Sequence, residues 1–155
     1  MIIQRWQSVL LLAATAVMAC FTFLSLGQVT TTDFTFNFTS LGFFSEGIPE
    51  NGVEPIKINT WYFFMVSLTT TVLLFIDIFM YRNLRLQKQL CLLCILFIIA
   101  SGAIGGCLGF WCIEGGEMGW SSVALCPFIA VFAAIMAYNR MTADQRLLKA
   151  ADRLR

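Results

Sequence analysis

A chain of 155 residues that is 59% apolar and 12% charged, with mean hydropathy +0.80 and net charge +1, lies outside the composition of soluble domains. It contains no histidine, which removes the commonest general acid or base, the commonest metal ligand and the usual pH switch. The basic residues flank apolar runs without any groove-entering helix pattern, so nucleic acid is excluded as a partner, and the residues suggest no cofactor.

A helix that crosses a bilayer needs about 20 apolar residues, because the hydrocarbon is roughly 30 Å thick and each residue rises about 1.5 Å. Four runs qualify: residues 7–26, 60–80, 90–110 and 120–138. They are continuous rather than alternating, so only helices can satisfy their backbone in lipid, and a barrel is excluded. The expected fold class is an all-α membrane protein, a four-transmembrane-helix bundle forming one integral domain over residues 1–155.

Span 1 follows Arg5 and Trp6. Within it Val17-Met18-Ala19-Cys20 resembles a lipoprotein cleavage box, which would make Cys20 a lipidation site; the very apolar Phe21-Thr22-Phe23-Leu24 beyond it argues for a retained span. The loop 27–59 is long. Its Thr32-Asp33-Phe34-Thr35-Phe36-Asn37-Phe38-Thr39 alternates Phe with polar residues, the period of a strand with one buried face. A small extracytoplasmic β-hairpin is expected, with Val53 to Asn59 as partner strand and Ser45 to Gly52 as the turn-rich interval. An irregular loop with its Phe side chains dipping into the interface is the alternative.

Span 2 carries Asp77, the only acid inside a span. An ionisable residue there is a functional-site hypothesis by default. It lies one turn from Tyr81, so an intramembrane ion pair with Arg82, Arg85 or a tail cation is expected, with proton or ion coupling as the alternative. No inverted repeat or mid-membrane carboxylate speaks for transport.

The linker Tyr81 to Gln89 holds three cations and no acid. With Arg5 and the tail it places nine of the ten Lys and Arg on one side, which the retention of cations inside makes cytoplasmic. Both termini are expected there. All four Trp and all three Tyr fall at span borders, the level where a ring with a polar edge is satisfied.

Span 3 opens with Cys91-Leu92-Leu93-Cys94, two thiols on one helical face, which resembles the motif of four-span quinone-linked thiol oxidases. Its place at the cytoplasmic end argues against disulfide chemistry, and cysteine is also a small core filler. Cys107, Cys112 and Cys126 lie toward the other end, as filler or as a structural bridge, and four thiolates cannot converge on a metal. The spacings Ser101/Gly105, Gly102/Gly106 and Gly105/Gly109 let helix backbones approach closely. They put span 3 at the centre of the contacts, with a sibling span or with another copy in a homo-oligomer, and Pro127, near the start of span 4, should bend that helix or sit where its lost N–H bond is tolerated.

In the tail, residues 139–155, Thr142-Ala143-Asp144-Gln145 has the spacing of a capping box and predicts a separate C-terminal amphipathic helix. Leu147, Leu148, Ala151 and Leu154 then oppose Arg146, Lys149 and Arg153, an arrangement suited to the inner membrane surface.

The opening Met1 to Ser8, the linker Tyr81 to Gln87 leading into Leu90-Cys91, and the ending Lys149 to Arg155 resemble a family of small four-span inner-membrane proteins of unknown function from Bacteroidetes-type bacteria. The resemblance covers the full length and is most specific at Asp152-Arg153-Leu154-Arg155. It implies a bacterial inner-membrane address, lends no activity, and marks Gln4, Arg5, Arg82, Gln87, Asp152, Arg153 and Arg155 for test. With Arg85 these form a candidate interaction face on the cytoplasmic side. The expectation is a non-enzymatic accessory or assembly subunit that docks a membrane-protein partner or anionic lipid there. A membrane thiol-disulfide oxidoreductase using Cys91 and Cys94 is the alternative.

Overall fold

The computed structural model describes residues 2–30, 35–46, 57–111 and 117–153. Helices α1 (Ile2–Phe23), α2 (Trp61–Phe79), α3 (Leu84–Trp111) and α4 (Cys126–Arg153) pack in sequence order, and α4 closes the ring against α1. All four are long and apolar enough to cross a membrane.

One narrow face of each helix turns inward. On α2 it is Phe63, Ser67, Thr70, Leu74 and Asp77; on α3 it is Gln87, Cys91, Cys94, Ile98, Ser101 and Gly105. On α1 the buried residues include Gln7, Leu11, Ala14, Met18 and Phe21, and on α4 Ala130, Ala134, Ala137 and Met141. The steps alternate between four and three residues, a mean period of about 3.5, which keeps two helices in contact through a left-handed supercoil crossing at about 20°. Most of these side chains are small or polar, because lipid tails are as apolar as Leu and association must come from close packing and hydrogen bonds. The bulky apolar side chains sit outside, among them Phe75, Leu96, Ile99, Phe128 and Phe132.

A five-stranded antiparallel sheet covers one end of the bundle. Its strands are β1 (Gly27–Thr30), β2 (Thr35–Thr39), β3 (Gly42–Glu46), β4 (Lys57–Asn59) and β5 (Glu117–Trp120), in the order β4-β3-β2-β1-β5. Val29, Phe36, Phe38 and Phe43 are its buried side chains. Phe38 stacks on Phe43 at 4.4 Å and reaches Phe63 of α2 at 6.2 Å, joining sheet to bundle. The joints are polar as well. Ser40 Oγ donates to the Thr22 carbonyl at 2.5 Å, Thr60 Oγ1 donates to the Ser40 carbonyl at 3.2 Å, and Ser121 N donates to the Leu26 carbonyl at 2.9 Å.

Several expectations are corrected. The partner of β2 is β3, with Phe38 opposite Phe43, while the segment from Lys57 pairs only with β3 and β5 adds to β1. The hairpin is therefore part of a larger sheet, and Ser45 and Glu46 are strand rather than turn. Gly42 makes the tight turn workable: at φ +151° it passes so close to the Ile58 carbonyl that a Cβ would collide with it. Residues 47–56, with the expected turn and most of the expected partner strand, lie outside the described residues.

Span 1 stops at Phe23 rather than residue 26, since Gly27 already opens β1. The basic linker is shorter than expected, a 3-10 turn over Met80–Arg82 followed by Asn83, and Leu84 to Gln89 form the first turns of α3. Leu, Arg, Gln and Lys are strong helix formers. The amphipathic tail is no separate helix either, because α4 runs without a break to Arg153. Thr142 does not cap; its Oγ1 donates back to the Tyr138 carbonyl at 3.0 Å.

Candidate functional site

The bundle has a sheet end and a linker end, the latter holding the α2–α3 turn, the start of α1 and the finish of α4. The polar residues of the seam divide between them. Near the sheet end Thr22 Oγ1 and Ser67 Oγ are 2.6 Å apart, with Thr71 Oγ1 at 3.3 Å from Thr22, and Ser101 Oγ donates to the Ile98 carbonyl at 2.8 Å. Every one of these hydroxyls has a partner.

The linker end is different. Asp77 is fully buried, and neither carboxylate oxygen has a hydrogen-bond partner. Gln87 on α3 lies against it: Nε2 donates to the Asp77 carbonyl oxygen at 3.3 Å, while Oε1 is unpaired. One and two turns further along the same face come Cys91 and Cys94, both fully buried and both within electrostatic range of the Asp77 carboxyl. The Cys91 thiol points at the Ala134 carbonyl of α4, 3.6 Å away. Across the seam Gln7 of α1 donates through Nε2 to Asp144 Oδ2 of α4, which ties the first and last helices together.

Outside this core, α3 and α4 enclose a cleft of about 370 Å³ lined by Arg85, Lys88, Gln89, Leu92, Tyr138 and Gln145. Lys88 Nζ sits 5.0 Å above the Tyr138 ring, a cation–π contact that fixes the ammonium at the rim, and Arg85 beside it is exposed. Two cations beside Leu92, the Tyr138 ring and two Gln side chains suit an anionic group with a small apolar flank.

The expected sites thus separate. Arg85 is on the linker-end surface, but Gln87 is 1% exposed and cannot belong to a docking face. The reason is register: Gln87 stands four residues before Cys91 on the inward stripe. The ion pair expected for Asp77 is not made among the described residues. Arg155 lies outside the described residues, as do the side chains of Gln4, Arg5, Arg82, Asp152 and Arg153.

On the glycine stripe, a Cβ at Gly102 would meet Pro127 of α4 at 3.2 Å and one at Gly105 would meet Phe63 at 3.0 Å. One at Gly109 would collide with the Trp120 ring, whereas Gly106 has nothing within 4 Å. Gly106 opens instead on a sheet-end cavity of about 500 Å³ that Gly102, Gly105, Phe110, Trp120 and Phe128 help to line. Cys20, Cys91, Cys94, Cys107 and Cys126 are free thiols, and Cys112 lies outside the described residues. Cys20 is on the exposed side of α1. No group of three or more Cys, Asp or Glu that could hold a metal occurs among the described residues.

Sequence reasoning missed Gln7, Thr22, Ser67 and Asp144 as polar seam residues. The signal was present in the alternating steps of three and four between polar or small residues inside otherwise apolar runs.

Four long apolar helices with polar side chains turned inward and bulky apolar ones outward are the build of a helical membrane protein. Within that class the chain belongs to the family described as a domain of unknown function (DUF4293), whose pattern matches residues 3–154. No curated protein matches the chain.

Proposed function

We propose that the chain is a non-enzymatic accessory or assembly subunit of the bacterial inner (cytoplasmic) membrane, crossing it four times with both ends on the cytoplasmic side, and that its linker end docks an acidic surface of a membrane-protein partner. The observation that carries this is the cleft between α3 and α4, where exposed Arg85 and the pinned Lys88 overhang Leu92 and Tyr138. Tyr138 sets the level. A Tyr at that height belongs to the headgroup region, where a partner's acidic rim and apolar flank can both be met. The bias of Lys and Arg toward the linker end supports the orientation.

The thiol oxidoreductase reading has less behind it. Cys91 and Cys94 are fully buried, and the Cys91 thiol is engaged by a backbone carbonyl, so no substrate thiol can reach either without opening the bundle.

A photo-crosslinking residue at position 89, in native membranes, tests the docking. The expected result is one protein adduct that disappears when Arg85→Glu and Lys88→Glu are combined, with the fold unchanged by circular dichroism. An adduct that survives the double reversal, or adducts to lipid alone, would contradict the proposal. Deleting the tail from Thr142 is the poorer perturbation, because it also removes the Asp144 partner of Gln7.

A further inference from the structure

Asp77 is the only fully buried carboxylate among the described residues, and it has no partner. Hydrogen bonds satisfy the neighbouring buried polar side chains, with one further exception, Gln87 Oε1. The unpaired atoms at this end are therefore three acceptors, two on Asp77 and one on Gln87, with no donor to share among them. An ionised carboxylate left so in the interior of a bundle costs far more than the helix contacts around it can supply, unless something positive joins it.

The surroundings decide what that is. On α3 the titratable neighbours are Cys91 and Cys94. Among the described residues, the buried ones that α1 and α4 present at this end are Gln7, Leu11, Ala137 and Met141, none of them charged, and the Asp144 carboxylate is taken by Gln7. No described cation supplies the missing charge, and the described acids and thiols make no metal cluster. A proton, by contrast, solves both deficits at once. Bound to one carboxylate oxygen it removes the charge and creates an O–H donor, and Gln87 Oε1 is the unpaired acceptor held nearby by the bond from its own Nε2 to the Asp77 carbonyl.

We infer that Asp77 is a proton-binding site, the proton lying on the carboxyl and donated toward Gln87 Oε1. Binding is a simple association in which an O–H bond forms at the carboxylate as one breaks in a hydronium ion, with no redox partner. The carboxyl is fully buried, and the nearest helix end is the Met80–Arg82 turn three residues on, so proton exchange is assigned to local opening at the linker end. Toward the sheet end the seam is filled by Leu11, Ala14, Leu74, Ile98 and Ala134, all fully buried, and these give a proton no onward path. The residue therefore binds a proton without conducting it. Its loss strands a charge between α2 and α3, directly behind the helix that carries Arg85 and Lys88.

The test is labelling of the full chain in native membranes by dicyclohexylcarbodiimide, an apolar reagent that attacks the protonated acid, followed by peptide mass spectrometry. The expected outcome is an adduct at Asp77 that is absent in Asp77→Asn, declines as pH rises, and is indifferent to added sodium or potassium at fixed pH. In Gln87→Leu the labelling should fall off about one pH unit lower, since one hydrogen bond to the protonated form is gone. No adduct at any pH overturns the inference, and so does protection by either metal cation. An unchanged pH profile in Gln87→Leu overturns the role given to Gln87. A failure of the docking test leaves this result untouched, because labelling reads the buried carboxyl and no partner.

Discussion

The two ends of the bundle are built on opposite terms. At the sheet end aromatic stacking runs from Phe43 through Phe38 to Phe63, and Thr22, Ser67, Ser40, Thr60 and Ser101 all have hydrogen-bond partners. At the linker end the Gln7–Asp144 bond and the Cys91 thiol on the Ala134 carbonyl stand beside a bare carboxylate and a half-satisfied amide, near a surface cleft with two cations. Satisfied polar groups in a tight core stabilise, whereas unmet ones are retained at a cost that packing alone does not justify. Satisfied hydroxyls and stacked rings are concentrated at one end, and the unmet buried polar atoms at the other.

The sharpest way to break the comparison is to remove an aromatic from the sheet end. Phe38 is fully buried, faces Phe43 across the β2–β3 pair and touches the bundle through Phe63, so Phe38→Ala opens a cavity where strand and helix meet. The expected loss is about 3–5 kcal/mol, read from thermal unfolding of the detergent-solubilised chain. A loss below about 1 kcal/mol would mean that the sheet rests on the bundle without supporting it.

The linker end should respond with the opposite sign. Asp77→Leu exchanges a buried carboxyl that is unpaired once its proton is lost for an apolar group of similar size, and at a pH where the proton is lost is expected to leave stability unchanged or raise it by about 1 kcal/mol. Unfolding in the same detergent at a series of pH values reads this, with the gain over the parent chain growing as pH rises, because only the parent can lose a proton there. Clear destabilisation by Leu at every pH would show that Asp77 has a structural partner, and would make the two ends alike.

These differences explain what could be read in the chain beforehand. Four runs of about 20 apolar residues are unambiguous because the bilayer sets the length, and α1 to α4 lie on all four. The strand at Thr35 to Thr39 was legible from its Phe alternation, but its partner was not, since the adjacent pair Phe43-Phe44 breaks the alternation; nor was β5, which reaches β1 from Glu117–Trp120, far along the chain. Helix ends were misjudged where charge was taken for a boundary. Arg85 and Lys88 mark an interface and still sit on a helix, since a helix of 28 residues extends about 42 Å and outreaches the hydrocarbon. At the candidate site, Asp77 stands out as the lone acid in a span, with no ion pair among the described residues, while Gln87, expected on the surface, is buried. The error at Gln87 has one cause. Hydropathy treats a span as uniform, while the step of three and four that puts Asp77 on the inward stripe of α2 and Gln87, Cys91 and Cys94 on that of α3 appears only when the residues are placed on a helix.

The smallest effect tests whether the sheet-end hydroxyls deserve their half of the comparison. Thr22 Oγ1 donates to the Met18 carbonyl at 2.8 Å within its own helix and lies 2.6 Å from Ser67 Oγ on α2. Thr22→Val keeps the shape and removes the hydroxyl. Ser67 can then turn to a backbone carbonyl one turn back, as Thr70 and Thr71 already do, so the loss should be small, about 0.6 kcal/mol by analogy with interhelical hydrogen bonds in other bundles. The measurement is a double-mutant cycle with Ser67→Ala. A coupling of that size confirms that α1 and α2 are joined there by a hydrogen bond; a coupling near zero would leave the hold of α1 on α2 to packing, including the Phe21 and Phe63 rings that meet edge to face at 5.8 Å.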